Sequence, residues 1–125
     1  MKICVTASGN SLDAPVDLRF GRAAFLAIVD SETMLFEAIP NAATGAMGGA
    51  GIQAAQTLAK RGVNVLITGN VGPNAFQALR SAGVKVITGA SGSVRRVVEK
   101  YKRGELKETD VSTVDEHFGK TRMWR

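Results

Sequence analysis

From residue 63 to residue 104, apolar and polar positions fall into blocks that switch between a period of two and a period near 3.6. Residues 63–68 (Val-Asn-Val-Leu-Ile-Thr) are an aliphatic, β-branched run that predicts a strand. Gly69-Asn70-Val71-Gly72 follows, and Pro73 suits the first position of a helix reaching about Ala82, with Ala75, Phe76 and Leu79 inward and Gly83 closing it. Residues 84–88 repeat the strand pattern. After Gly89-Ala90-Ser91-Gly92-Ser93, Val94, Val97, Val98 and Tyr101 recur at helical spacing until Gly104. The front of the chain is richer in strands. Residues 2–7, 24–30 and 34–39 are strand-like, and the hairpin-length Ser31-Glu32-Thr33 separates the last two. Residues 11–22 have no clean period and contain Pro15 and Gly21, which marks a loop carrying side chains to a site. Pro40 and Asn41 stop the third strand. A helix then runs from about Ile52 to Arg61, with Gly62 as its left-handed cap.

The predicted order β-β-β-α-β-α-β-α combines antiparallel neighbours at the start with right-handed parallel crossovers later. It fits a three-layer α/β/α domain with a five-stranded mixed sheet, strand order 3-2-1-4-5 and the second strand antiparallel. The carboxyl ends of strands one, three, four and five then share one edge, and the connection after strand one leaves towards strand two while that after strand four leaves towards strand five. Open α/β sheets bind ligands at such a switch point. The loops expected there are 8–10, 45–51, 69–73 and 89–93, three of which open helices.

One of these loops, Gly45-Ala46-Met47-Gly48-Gly49-Ala50-Gly51, is unusually dense in glycine. Glycine costs roughly 0.5–1 kcal/mol relative to alanine in a regular element. Its bland reading is a flexible connection. Its functional reading is a backbone that lets N–H groups and a helix dipole approach a negatively charged guest. The candidate binding residues at this rim are Ser8, Asn10, Arg19, Arg22, Gly48, Gly49, Gly51, Gly69, Asn70, Gly72, Asn74 and Ser91. No Ser-His or Cys-His pair and no catalytic carboxylate falls in these loops, so the rim reads as a binding surface without catalytic chemistry.

Composition narrows the class. The 125 residues are 45% hydrophobic and 22% charged, ordinary for one globular domain. No apolar run approaches the ~20 residues of a membrane span, and the amino terminus reads as a strand, not a signal peptide, which makes the cytoplasm the expected compartment. With one cysteine and one histidine, a single chain builds no cysteine cage for a metal. Cys4 reads as a small core residue and His117 as a solvated tail residue. The net charge of +5 concentrates in Arg95, Arg96, Lys100, Lys102, Arg103 and Lys107, opposed by Glu99 and Glu105. This is the pattern of a solvated helix face or of a surface for an acidic partner. Without interleaved aromatic residues it argues against nucleic acid. Residues 1–107 are expected to form the domain and residues 108–125 a polar tail, loosely ordered from residue 109.

Three segments, Asp17-Leu18-Arg19-Phe20-Gly21-Arg22-Ala23, Gly49-Ala50-Gly51-Ile52-Gln53-Ala54-Ala55 and Thr68-Gly69-Asn70-Val71-Gly72-Pro73-Asn74-Ala75, resemble the signature segments of the dinitrogenase iron–molybdenum cofactor biosynthesis family. The resemblance covers roughly residues 1–107. It implies a ribonuclease-H-like topology and a carrier that binds an iron–sulfur cluster or an iron–molybdenum cofactor precursor, in contact with a cofactor-assembly protein. Some members of that family carry histidine where this chain has Arg22. A cluster here would therefore be held by electrostatics and hydrogen bonds, or by ligands from two chains. Three other readings compete, one of them a purely structural or partner-binding role through the basic third helix. A small anionic metabolite (a nucleotide or phosphate ester) suits the same loops, although the phosphate-binding pattern Gly-x-x-x-x-Gly-Lys-Ser/Thr is absent. Nuclease activity needs converging carboxylates, which strands one and four lack, and Asp30 sits in the hairpin at the far end.

Overall fold

The computed structural model describes residues 1–41 and 49–109. Strands β1 (Lys2–Ala7), β2 (Phe25–Asp30), β3 (Phe36–Pro40), β4 (Val65–Ile67) and β5 (Lys85–Ile87) form one sheet in the order β3-β2-β1-β4-β5. β2 is antiparallel to both neighbours, and β1, β4 and β5 are parallel. The expected strand order and directions are therefore observed. Helices α1 (Ala50–Lys60), α2 (Pro73–Ser81) and α3 (Val94–Lys102) complete the element order.

The sheet is covered on both faces, which is why β1 reads as a nearly continuous apolar run. Cys4 lies level with Ile28 of β2 and Leu66 of β4, and all three pack under α1 and α2 with Ala54, Leu58 and Leu79. One residue earlier, Ile3 lies level with Val29 and Val65 and faces the opposite layer, where Val94, Val97 and Val98 of α3 close the core. Each helix hands over to the following segment at a glycine in the left-handed region: Gly62, Gly83 and Gly104, with φ of 71°, 80° and 75°.

Asp30 is occupied by its hairpin. One carboxylate oxygen accepts the N–H groups of Glu32 and Thr33 at 2.8 and 3.2 Å, and these bonds hold the carboxyl below its usual range. At the other end of the chain, Thr109 is tied to the free edge of β5. Its N–H donates to the carbonyl of Val86 at 2.7 Å, and its hydroxyl accepts the N–H of Thr88 at 2.9 Å. Residue 109, placed in the loose tail on sequence grounds, is thus bonded to the sheet. Residues 110–125, with His117, lie outside the described residues, as do residues 42–48.

Candidate functional site

The long segment after β1 divides the carboxyl edge of the sheet into two halves. Its first part closes the α3 side. The carbonyls of Leu12 and Ala14 accept the N–H groups of Arg95 and Val94 at 2.8 and 3.0 Å, and Ser93 Oγ caps Arg96 N–H at 3.2 Å. All three N–H groups at the start of α3 are therefore satisfied by the protein itself. Ser8 belongs to this half and bonds the carbonyl of Pro15.

The segment then crosses the edge at Asp17, where two buried threonines anchor it. Thr6 Oγ1 donates to the carbonyl of Asp17 at 2.7 Å, and the N–H of Asp17 returns a bond to the carbonyl of Thr6 at 2.8 Å. Thr6 and Thr68 hydroxyls lie 2.8 Å apart. Since the Thr6 proton is committed to Asp17, Thr68 is the donor in that pair. Beyond this point Leu18 and Arg19 run beside the exit of β4. Asn70 N–H donates to the carbonyl of Leu18 at 2.7 Å, and the N–H of Phe20 donates to that of Asn70 at 3.2 Å. Phe20 is buried in the core beneath α1 and α2 and holds the loop down.

What remains open is a cleft of about 430 Å³ between residues 19–22, the start of α1 and residues 70–75. Ala50, Gly51 and Ile52 of α1, and Asn74 and Ala75 of α2, line it. Neither helix has a side-chain cap, and neither carries an acid in its first turn. The contrast with α3 is sharp: among the described residues no side chain caps the two helix amino ends that meet at one cleft, while the third is sealed elsewhere. Among the described residues, the charged groups of the lining are Arg19 and Arg22, and the lining holds no carboxylate, imidazole or thiol. Arg19 pairs with Asp17 at 3.5 Å through an exposed guanidinium, a contact worth at most ~1 kcal/mol and easily exchanged for a ligand.

Of the residues singled out from sequence, Arg19, Arg22, Gly49, Gly51, Asn70, Gly72 and Asn74 are brought together here. Ser8, Asn10 and Ser91 are exposed and outside the lining, so the single rim expected from sequence is split by the loop that crosses it. Gly48 lies outside the described residues. Gly69 is buried, and its hydrogen faces protein: a Cβ there would lie 2.6 Å from the Cα of Leu18. Likewise a Cβ on Gly21 would lie 2.7 Å from Gly51 N, and one on Gly51 would lie 2.8 Å from the Cβ of Ala75. These glycines let backbone meet backbone around the cleft. Cys4 is fully buried in the α1 and α2 layer, away from the lining, and burial pushes its thiol far above the usual range, so it supplies no thiolate.

Sequence reasoning missed four contributors. Thr6 and Thr68 were readable as hydroxyl residues at the ends of apolar strands. Phe20 was readable as an aromatic inside a polar loop. Asn41, only 6% exposed, gave no signal beyond its place after Pro40.

The family model described as dinitrogenase iron-molybdenum cofactor matches residues 1–104. The chain belongs to that family. Among solved structures, it is similar to the apo form of the orange protein from Desulfovibrio gigas, with 46% identity, a TM-score of 0.88 and coverage of 90% of this chain and 95% of that one. A Thermotoga structure described as a candidate NifB protein is 34% identical, with a TM-score of 0.79 over 91% of this chain and 97% of that one. An uncharacterized protein of Methanocaldococcus jannaschii is 30% identical over 111 residues, 86% of this chain and 91% of the relative. The resemblance drawn from the three sequence segments is thereby established as membership.

Proposed function

We propose that the cleft carries an anionic iron–sulfur cluster or iron–molybdenum cofactor precursor as cargo, without transforming it. The observation that supports this reading is the convergence, among the described residues, of two helix amino ends without side-chain caps and of Arg19 and Arg22 in a cleft lined by no carboxylate. The donor set favours one type of cargo. Iron–sulfur clusters anchored to protein take cysteine or histidine ligands, and the described residues of the lining contain neither. Guanidinium and amide donors instead suit the terminal sulfide or oxygen atoms of a cluster whose metals are already saturated. In this reading Arg22 and Arg19 neutralise charge, the first-turn amides orient it, and Asn70 and Asn74 contribute side-chain amides. The family and the similarity to a protein solved in an apo form point the same way. Delivery implies contact with a cofactor-assembly protein, for which the basic face of α3 is the accessible surface, and the cytoplasm is the expected site of work.

A smaller anion is the second reading, because bare helix amino ends hold a phosphate ester as readily as a cluster. Anaerobic reconstitution with iron, molybdate and sulfide separates the two. A coloured protein retaining metal after desalting is the result expected of a cluster carrier. Colourless protein whose melting temperature rises with phosphate or nucleotide alone would overturn that reading in favour of the metabolite.

A further inference from the structure

Arg22 stands on a short turn, residues 20–24, that belongs to no helix or strand of its own. One buried side chain holds that turn from beneath. Asn41 Nδ2 donates to the carbonyl of Gly21 at 3.2 Å and to the carbonyl of Ala23 at 3.0 Å, one bond on each side of Arg22. The backbone N–H of Asn41 donates to the carbonyl of Ala24 at 3.0 Å. A primary amide has two N–H donors, and here each meets its own carbonyl. The turn is also backed from the side, since Gly21 lies against the backbone of Gly51. The peptide link that enters residue 22 and the one that leaves Ala23 are therefore both held, and the fixing group is itself buried in the sheet edge after β3.

We propose that Asn41 is the positioning residue of the cleft, setting where Arg22 stands with respect to the open ends of α1 and α2. The inference rests on the anion-binding reading of that cleft. Its chemistry is specific to the amide. Aspartate has the same shape but turns acceptor oxygens toward two carbonyls, and alanine leaves both carbonyls without a donor. In either variant the turn loses its floor while Arg22 itself remains.

The test is a double-mutant cycle of Asn41 and Arg22, with tetrathiomolybdate as the probe because it is a simple molybdenum–sulfide anion. Affinity is measured without oxygen for the wild type, Asn41→Ala, Asn41→Asp, Arg22→Ala and the two doubles. Each Asn41 variant is expected to weaken binding about tenfold in the wild-type background and to add little once Arg22 is gone, because it acts through Arg22. Wild-type affinity in both Asn41 variants, or the same loss in both backgrounds, would overturn the proposal. Asn41→Asp serves where Asn41→Ala fails to fold. A second readout needs no ligand: backbone ¹⁵N order parameters of residues 21–24 should fall in the Asn41 variants while those of Val65–Ile67 stay as they are. If wild-type protein binds no probe, the cargo reading fails, and the order parameters alone decide the clamp. An equally rigid turn would then refute it.

Discussion

At the scale of single residues, the site divides charge from support. Arg22 and Arg19 are the cations of the cleft, and Arg22→Ala is expected to weaken anion binding roughly tenfold or more, the loss of a charge-assisted hydrogen bond, with the melting temperature unchanged. Isothermal titration with a thiometalate or phosphate checks this. Ser8→Ala and Ser91→Ala should leave affinity unaltered, because both residues stand outside the cleft. A loss in either serine variant as large as that in Arg22→Ala would move the site to the α3 half of the edge. Gly51 shows how one residue type misleads. From sequence it invites a ligand-access argument, yet a methyl group there would press on the Cβ of Ala75 at 2.8 Å. Gly51→Ala should therefore cost about 1–3 kcal/mol by overpacking and loosen anion binding as the helix ends part. Adding Ala75→Gly should restore affinity. If it does not, the glycine is needed by the ligand and not by the neighbouring helix.

At the scale of elements, the account turns on which helix ends are free. Among the described residues α1 and α2 have no side-chain cap, whereas α3 has three partners for its first N–H groups, which makes the first two the candidate donors. The strands, helices and closing glycines were legible from sequence because period and punctuation agree over most of the chain. Even the strand order followed from the crossover rules. The division of the carboxyl edge was not legible. Leu12 and Ala14 bond α3 through their backbone carbonyls, and Val16 bonds the carbonyl of Gly92 through its N–H, contacts that leave no mark in side-chain identity. For the same reason the roles of Gly21 and Gly69 could be suspected but not assigned, since sequence does not say what a missing Cβ makes room for. Asn41 is the sharpest case: an ordinary strand-ending residue in the sequence, a buried two-point clamp in the fold.

At the scale of the whole molecule, the sheet is a rigid floor and the cleft is a feature of its edge. Leu66 lies at the centre of that floor, fully buried between Cys4 and Val86. Leu66→Asp places an unpaired charge there at a cost of several kcal/mol, comparable to the stability of a small domain, and should abolish cooperative thermal unfolding. A soluble variant with a normal melting curve would show that the core has been misplaced. The basic balance of the chain adds a long-range effect: anion affinity should fall as ionic strength rises past a Debye length of ~10 Å at 0.1 M. A salt-independent affinity would point to ligation in place of electrostatics.

The most direct measurement of the central claim is a ¹H–¹⁵N titration of the uniformly labelled protein with tetrathiomolybdate under anaerobic conditions. The backbone amides of Ala50, Gly51, Ile52, Asn74 and Ala75 should shift together and saturate at one anion, with those of Val94, Arg95 and Arg96 unmoved. Shifts centred on the start of α3, or none at the start of α1 and α2, would contradict it.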